Sequence, residues 1–467
     1  MGTLTSALSI SQEALLADQV ALNVTASNVA NQNTPGYTDE VVSFQSTDAV
    51  TLTGSSFGSG VTASAVSQRD RVLEQRVQQQ TQTQAQSGAL ESALQQVQNI
   101  FGLSSTSTSA SSTQLGTDIN SFFSSLSALT SNPSDTATRQ SVLSAANAVA
   151  SDFNSTANQL AQVSSSLNQE VASDAGQVNS LTTTIASLNG QIASISPNAD
   201  AGTLEDQRQL AIAQLSQLVG LDQISTPQNG ITLTTSSGAV LVSGSQSFSM
   251  SITQISGNTD VLAGDPPQNV TSSLMGGDMG GALQARDQNL PAYSGALDNL
   301  AFAIGNTVNQ QNEQGVDSSG NPGQAIFSLP GSATGAAVSI SVSATNPGAI
   351  AAASPGEGSS GNDNATALAN LSTVNMVGSL TATGFLASFL SQVGNDTSAA
   401  TTDNTAQQAT LTQLTTQRDS LSGVSLDEEA SNLTQYQRSY QAASQVFTIV
   451  NSLMASAINL GVETTVT

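Results

Sequence analysis

The strongest hydrophobic periodicity in this chain lies near its two ends. Over residues 425–460, apolar side chains recur at alternating spacings of three and four, and the pattern holds for more than three heptads. Such spacing is the a/d pattern of a coiled-coil helix, so it predicts a long amphipathic helix here. The predicted seam consists of Leu433, Tyr436, Tyr440, Ala443, Phe447, Val450, Met454 and Ala457.

A second amphipathic helix is predicted over residues 1–31. A large aliphatic residue returns every seventh position at Leu8, Leu15, Leu22 and Val29. A neighbouring stripe contains Ile10, Ala14, Ala17, Ala21 and Val24. Because an isolated apolar seam is not stable in water, each helix needs a second helical surface. We therefore expect the terminal helices to pair as a coiled coil and to pack in an assembly, which is typical of structural proteins rather than enzymes.

The middle of the chain changes from helical to strand periodicity and back. Residues 66–219 are predominantly helical in pattern, interrupted by a Ser/Thr-rich linker at 104–113. Residues 221–275 alternate apolar and polar positions, as short antiparallel strands do. Helical patterns return at about 280–313 and 365–423, around a Gly/Pro-rich stretch that contains one predicted strand at 338–342.

This order predicts a mainly α protein with an inserted small β domain. We expect an elongated rod, with the terminal coiled coil, a body of long helices and a β-rich knob. The predicted domains are a terminal coiled-coil domain of residues 1–65 and 424–467, a helical body of 66–220 and 276–423 with a loop-rich part at 314–361, and an inserted β domain of 221–275 that 326–345 could complete.

The charge composition argues against nucleic-acid binding. Charged residues make up 9% of the chain, against a typical ~25%. The formal net charge is -25, and all eight basic residues are arginine. A phosphate backbone requires a basic surface, whereas the basic cluster here is limited to Arg69, Arg71 and Arg76. These arginines are expected either to pair with local acids or to contact acidic neighbours in an assembly.

The residue types needed for most catalytic and metal chemistry are absent. With no His, Cys or Lys, the chain excludes a Cys/His metal site, a Ser–His pair and a Schiff-base lysine, and it leaves few groups expected to titrate near neutral pH. Asp427, Glu428 and Glu429 fall in the first turn of the last predicted helix, where carboxylates offset the helix dipole. We therefore predict no catalytic residues, no cofactor and no metal.

Targeting signals are also lacking. No stretch of about 18 apolar residues exists, so no membrane insertion is expected. The first residues lack the basic start and continuous apolar core of a secretory signal peptide.

A short motif between the first helix and the extended region carries a family resemblance. Asn28-Val29-Ala30-Asn31 is followed by Thr34-Pro35-Gly36-Tyr37, in which Pro sets the first corner of a turn and Gly supplies a positive φ at the second. This motif resembles the N-terminal signature of bacterial flagellar axial proteins. Residues 422–430, together with Leu433, Tyr436 and Tyr440, resemble the hook-associated protein 1 family in particular.

Internal segments at 206–220 and 280–315 agree with this resemblance, which covers nearly the whole chain, although the β region is short for the family. The resemblance implies a structural subunit of the junction ring between hook and filament. The implied assembly surfaces are Leu8, Leu15, Leu22, Val29, Asn28, Asn31, Thr34, Pro35, Gly36 and Tyr37 at the N-terminal helix and signature, and Leu426 with the seam Leu433, Tyr436, Tyr440, Ala443, Phe447, Val450, Met454 and Ala457.

The resemblance also implies partners and a location. The expected partners are other copies of the chain, the hook protein, hook-associated protein 3, a cytoplasmic export chaperone and the flagellar type III export apparatus. The expected location is the extracellular flagellum, reached without a cleaved signal peptide. The alternatives are another flagellar axial protein of the hook or filament type, or a secreted adhesin-like binding protein whose β knob engages a surface. A hydrolase is disfavoured by the absence of His and of an isolated acid pair.

Overall fold

The computed structural model describes residues 2–47, 50–52, 55–57, 60–103, 113–195, 201–226, 229–255, 258–358 and 360–463. Almost all of the predicted linker at 104–113 lies outside these residues. The described chain is mainly helical, with several small antiparallel sheets. The prediction of a mainly α fold with a small inserted β region is confirmed.

Long helices form the frame of the molecule. The longest has 59 residues, which at 1.5 Å per residue extends about 88 Å and makes the molecule elongated. The α-helices are α1 Gly2–Asn31, α2 Arg71–Ile100, α3 Gln114–Ser131, α4 Thr136–Ser194, α5 Thr203–Leu218, α6 Gly277–Gln284, α7 Leu290–Gln314, α8 Ala336–Ser339, α9 Asp363–Asn370, α10 Ala382–Ser422 and α11 Leu426–Glu463.

Short strands connect these helices. They are β1 Glu40–Ser46, β2 Val50–Leu52, β3 Ser55–Phe57, β4 Val61–Ser67, β5 Leu221–Thr226, β6 Gly230–Thr235, β7 Val240–Ser243, β8 Gln246–Ser247, β9 Met250–Ile255, β10 Asn258–Ala263, β11 Gln268–Asn269, β12 Phe327–Ser328, β13 Ser341–Val342, β14 Asn375–Val377 and β15 Leu380–Thr381. β1 pairs with β4 beside the terminal helices, and β5–β8 and β9–β11 form the two sheets of the insertion.

The core follows the long helix α4. Leu160, Leu167, Val171, Val178 and Ile185 lie on one face of α4, and each is at most 3% exposed. Helix starts in the body are fixed by polar side chains: Asp70 accepts from Val72 N and Leu73 N, and Asp135 accepts from Thr138 N. Such N-caps satisfy amide groups that have no partner within the helix.

The β insertion begins and ends at one place on the helical body. A Cβ placed on Gly276 would lie 2.9 Å from Gly220 Cα, so the entry and exit segments touch. The insertion then lies against the C-terminal half of α4. Asn179 accepts from Met250 N (2.7 Å) and donates to Met250 O (2.8 Å), and Asn189 donates to Ile231 O (2.9 Å).

The strand predicted at 338–342 is only partly present. Ser341 and Val342 form β13, whereas Val338 and Ser339 end the short helix α8. That helix forms because Asp298, on α7, accepts from Gly335 N (2.8 Å) and Ala337 N (2.9 Å), a cap from a distant element that local periodicity does not reveal. β13 pairs with β12, and this two-stranded sheet stands apart from the sheets of the insertion.

Candidate functional site

The two terminal helices pack against each other in antiparallel orientation. Asn28, near the end of α1, donates from Nδ2 to Glu429 Oε1 (3.2 Å), near the start of α11. Further along α11, the ring of Tyr436 lies 6.1 Å from the ring of Phe44 on β1. The C-terminal end of α1, the β1–β4 hairpin and the N-terminal end of α11 therefore meet at one joint.

α11 carries more apolar surface than α1 covers. The middle of its apolar face is buried or half-buried, as for Ala443, Phe447 and Val450. At about 100° per residue, two exposed flanks lie on either side of that middle stripe. One flank contains Val446, Ile449 and Leu453, and the other contains Leu426, Leu433, Tyr440 and Ile458. The predicted seam therefore divides: most of it faces α1, while Leu433 and Tyr440 lie on an exposed flank.

α1 presents its small residues rather than its leucines to α11 and the hairpin. The side chains on its buried face are Ser11, Ala17, Asp18, Ala21, Val24, Thr25 and Asn28. The predicted heptad positions Leu8, Leu15 and Leu22 are half-buried at the edge of that face, and Val29 is exposed. Leu16 is 56% exposed. Of the neighbouring stripe noted in the sequence, Ala17, Ala21 and Val24 are buried, whereas Ala14 is half-buried and Ile10 is exposed.

Asn28 is the centre of the joint and is fully buried. Its Nδ2 donates to Asp39 Oδ1 (2.7 Å) and Glu40 O (2.8 Å) as well as to Glu429. Its Oδ1 accepts from Tyr37 Oη (2.8 Å) and from Glu40 N (3.2 Å). One side chain thereby connects α1, the following turn, β1 and α11.

The Thr34–Tyr37 segment forms the turn predicted from its sequence. Tyr37 N donates to Thr34 O (3.1 Å), and Gly36 has φ +80°, so Pro35 and Gly36 occupy the two corners. A side chain at Gly36 would contact Leu210 on α5. The signature therefore lies where the terminal pair meets the helical body.

A buried arginine fastens this turn to α5. Arg69 is 5% exposed at its side chain; it contacts Glu205 (3.3 Å) and Asp206, and it donates to Thr38 Oγ1 (3.3 Å). For Arg69, the local pairing considered in the sequence is the observed arrangement. Thr38 N also donates to Asp206 (3.4 Å). Both the backbone and the side chain of Thr38 therefore bond to the ion pair that joins the α1–β1 connection to the body.

The other two arginines of the basic cluster differ from Arg69. Arg71 lies 3.8 Å from Glu205 with its side chain 67% exposed, and Arg76 is exposed on α2. For these two arginines, contact with acidic groups of another subunit stays a prediction.

Sequence reasoning missed the roles of Asp39 and Glu429 at the joint. Asp39 N donates to Ser422 O (2.9 Å), and Asp39 O accepts from Gln68 N (2.9 Å), so its backbone connects three segments. Glu429 is 4% exposed, although the sequence assigned it only to the helix dipole. The available signal was a heptad register: Ser11, Asp18 and Thr25 recur every seven residues, and together with Asn28 they place polar groups on the buried face of α1.

Two further observations limit the chemistry. Within the described residues, no group of three or more carboxylates has an arrangement that fits a metal ion. None of the helices in the same part of the chain combines the length and hydrophobicity required to cross a membrane.

Three family models match separate parts of the chain. "Flagellar hook-associated protein FlgK helical domain" matches residues 94–327, which is half of the chain. "Flagella basal body rod protein" matches residues 8–38, and "Flagellar basal body rod FlgEFG protein C-terminal" matches residues 416–460. The two rod models fall on the antiparallel helices and the signature turn, and the first model falls on the body and the insertion.

Relatives match over nearly the full length. Flagellar hook-associated protein 1 of Salmonella typhimurium is 27% identical over 563 residues, covering 98% of this chain and 100% of the relative. The protein of the same name from Bacillus subtilis is 29% identical, covering 97% of each chain. The first alignment is longer than the 467 residues of this chain, so that relative carries segments that this chain lacks.

A solved structure shares the fold. The flagellar hook junction protein FlgK from Burkholderia pseudomallei superposes with a TM-score of 0.68 at 20% identity, covering 75% of this chain and 100% of that one. Together with the family models and the full-length relatives, this likeness confirms the resemblance read from the sequence. The chain belongs to the FlgK family of flagellar hook-associated proteins.

Proposed function

We propose that this chain is a structural subunit of the bacterial flagellum that forms the junction ring between hook and filament. It assembles with other flagellar components through its terminal helices. The observation that carries the proposal is the pair of exposed apolar flanks on α11. Val446, Ile449 and Leu453 are each at least 50% exposed, and α1 already occupies the stripe beside them. Burying apolar area is the main favourable term in association, so these flanks are surfaces for further helices.

The finer parts of the proposal follow the sequence. The assembly surface includes Leu8, Leu15, Leu22 and Val29 of α1, together with the α11 positions from Leu426 to Ala457. Asn28, Asn31 and the Thr34–Tyr37 turn set the angle at which the helices leave the body. The partners are other copies of this chain, the hook protein and hook-associated protein 3. A cytoplasmic chaperone and the type III export apparatus deliver the chain to the extracellular flagellum without a cleaved signal peptide.

The test separates assembly from folding by changing only the exposed flanks. The variant V446S/I449S/L453S removes one flank, and L433S/Y440S/I458S removes the other. V72S and M275S are matched controls, because Val72 (63% exposed) and Met275 (64% exposed) lie outside α1 and α11. Each variant replaces the wild-type gene in a flagellated strain, and secreted subunit, filament attachment and swimming are measured.

We expect the flank variants to fold and to be secreted, but to leave hooks without attached filaments. The two controls should swim normally. Normal filaments with both flank variants would overturn the proposal. Because the chain contains no cysteine, V446C supplies a unique cross-linking position, and mass spectrometry of the adducts in assembled flagella identifies the neighbour. Adducts with this chain, the hook protein or hook-associated protein 3 are expected, and adducts with none of them would count against those partners.

A further inference from the structure

The joint between the terminal pair and the body contains more hydrogen-bond acceptors than donors. Asn28 Nδ2 carries two hydrogens, yet three acceptors lie within bonding distance of it: Asp39 Oδ1, Glu40 O and Glu429 Oε1. Glu429 Oε2 is also buried and has no partner among the described residues. An acceptor shortfall of this kind is costly in a buried site, and one additional O–H would relieve it.

The two carboxylates at this point are close neighbours. Asp39 and Glu429 both contact the same nitrogen of Asn28, at 2.7 and 3.2 Å, so their oxygens are separated by no more than the two distances combined. Burial, followed by the charges of Glu429 and Glu428, raises the pKa of Asp39 to about 6. The proximity of like charges favours binding of a proton between them.

Other charged groups around the joint do not offset this pair. Arg69 is held by Glu205 and Asp206, and Arg418 is held by Asp419 (2.6 Å) and Glu74 (3.9 Å). The remaining titratable groups on α1, the turn, β1 and α11, with Asp70 after β4, are Glu13, Asp18, Tyr37, Glu40, Asp70, Asp427, Glu428, Tyr436, Arg438, Tyr440 and Glu463. The cation among them, Arg438, is exposed and lies nine residues beyond Glu429, about 13.5 Å along the helix axis.

We propose that Asp39 and Glu429 form a proton-binding latch that fastens the paired terminal helices to the body. A proton taken up from solvent by Asp39 removes one of the two adjacent negative charges, and both carboxyl groups then hold Asn28 without repelling each other. When the proton leaves at higher pH, the joint carries two adjacent negative charges and opens more readily. The latch connects α1, β1 and α11, so it acts on both terminal helices together.

Amide hydrogen exchange on the purified full-length chain tests the latch. Protection factors for 4–31 and 426–459 are measured at pH 5.0 and pH 7.5 and normalised to the intrinsic exchange rate at each pH. The pKa of Asp39 in the folded state is about 6, so pH 5.0 lies about one unit below it. Protonation at that pH favours the closed joint over the open joint by about tenfold relative to pH 7.5. Protection in the wild type should therefore be about tenfold higher at pH 5.0.

D39N removes the charge at this position at every pH, as the bound proton does for Asp39 at low pH. It should raise protection at pH 7.5 and remove the dependence on pH, and E429Q should weaken that dependence. D427N is the matched control: Asp427 is an exposed carboxylate in the same helical turn, so its loss should leave the tenfold ratio unchanged. Equal wild-type protection at the two pH values, or a ratio unchanged in D39N, would overturn the latch. The measurement uses the monomer, so neither result bears on ring assembly.

Discussion

Asn28 shows how much of the joint depends on one side chain. Replacement by leucine keeps the branching of the side chain but removes the amide that bonds the Tyr37 hydroxyl and the Asp39 carboxylate. Unsatisfied buried polar groups each cost about 1–3 kcal/mol. We expect N28L to reduce the local stability of the terminal pair by about 3 kcal/mol, measured by hydrogen exchange in α1 and α11.

The control for N28L is N31L. Asn31 lies one turn further along α1 and bonds locally, donating to Ser27 O (3.0 Å). The N31L variant should therefore change hydrogen exchange in the terminal pair much less than N28L does. Equal effects of the two variants would mean that Asn28 matters only as part of the helix end, and not as the link to β1 and α11.

Gly36 and Asn28 show which features of the joint could be predicted from the sequence and which could not. Gly36 was predictable, because a Pro-Gly pair specifies a turn through its own backbone preferences. The burial of Asn28 was not, since its partners Asp39 and Glu429 lie 11 and 401 residues away. The local sequence pattern indicates the local conformational preference of the backbone. It does not indicate which distant hydrogen-bond acceptors a polar side chain will contact.

At the scale of elements, the terminal pair depends on small residues on one face of α1. Ala21 is fully buried. A leucine there has no space and would force α1 away from its neighbours, a change that typically costs about 1–3 kcal/mol. We expect A21L to lower the protection of α1 and α11 in the monomer, as measured by hydrogen exchange.

L16A is the matched opposite change on the same helix. Leu16 is 56% exposed, so its truncation should leave the monomer unchanged. If A21L were tolerated as well as L16A, the close packing of α1 described here would be wrong.

Helix positions were predicted well because long periodic segments carry a strong signal. The buried face of α4 includes Leu167, Val171, Val178 and Ile185, which lie within the region 66–219 that the sequence predicted to be mainly helical. Which stripe of α1 faces α11 was harder to predict. Leucine repeats mark where apolar area lies, but close approach of two helices and a hairpin selects the smaller residues Ala17, Ala21 and Val24 instead.

At the scale of the whole molecule, some groups titrate near neutral pH although the chain has no His, Cys or Lys. Burial raises the pKa of Asp174 to about 7 and those of Asp152 and Asp278 to about 6, and nearby carboxylates add to each shift. Composition could not identify these groups, because it does not reveal which aspartates will be buried beside other acids.

All three pKa shifts are upward. A carboxyl group with a raised pKa in the folded state binds its proton more tightly when folded, so stability falls as pH rises from about 4 through 7. We expect the thermal midpoint to be higher at pH 5.5 than at pH 7.5, measured by circular dichroism at fixed ionic strength.

D174N identifies the main contributor in the body. Asp174 is 7% exposed, and its Oδ2 has no partner among the described residues. The variant should raise the midpoint at pH 7.5 and narrow the difference between the two pH values. D403N, at an exposed carboxylate on α10, should leave that difference unchanged. A midpoint that rises with pH in the wild type would contradict the assigned direction.

The joint also sets an order of events. Asn28 and Glu429 are 401 residues apart, so a chain that emerges from a ribosome or a narrow conduit presents one terminal helix long before the other. Until its partner arrives, the first helix has Ala17, Ala21 and Val24 uncovered. Closure of the joint thus has to wait until nearly the whole chain has been made.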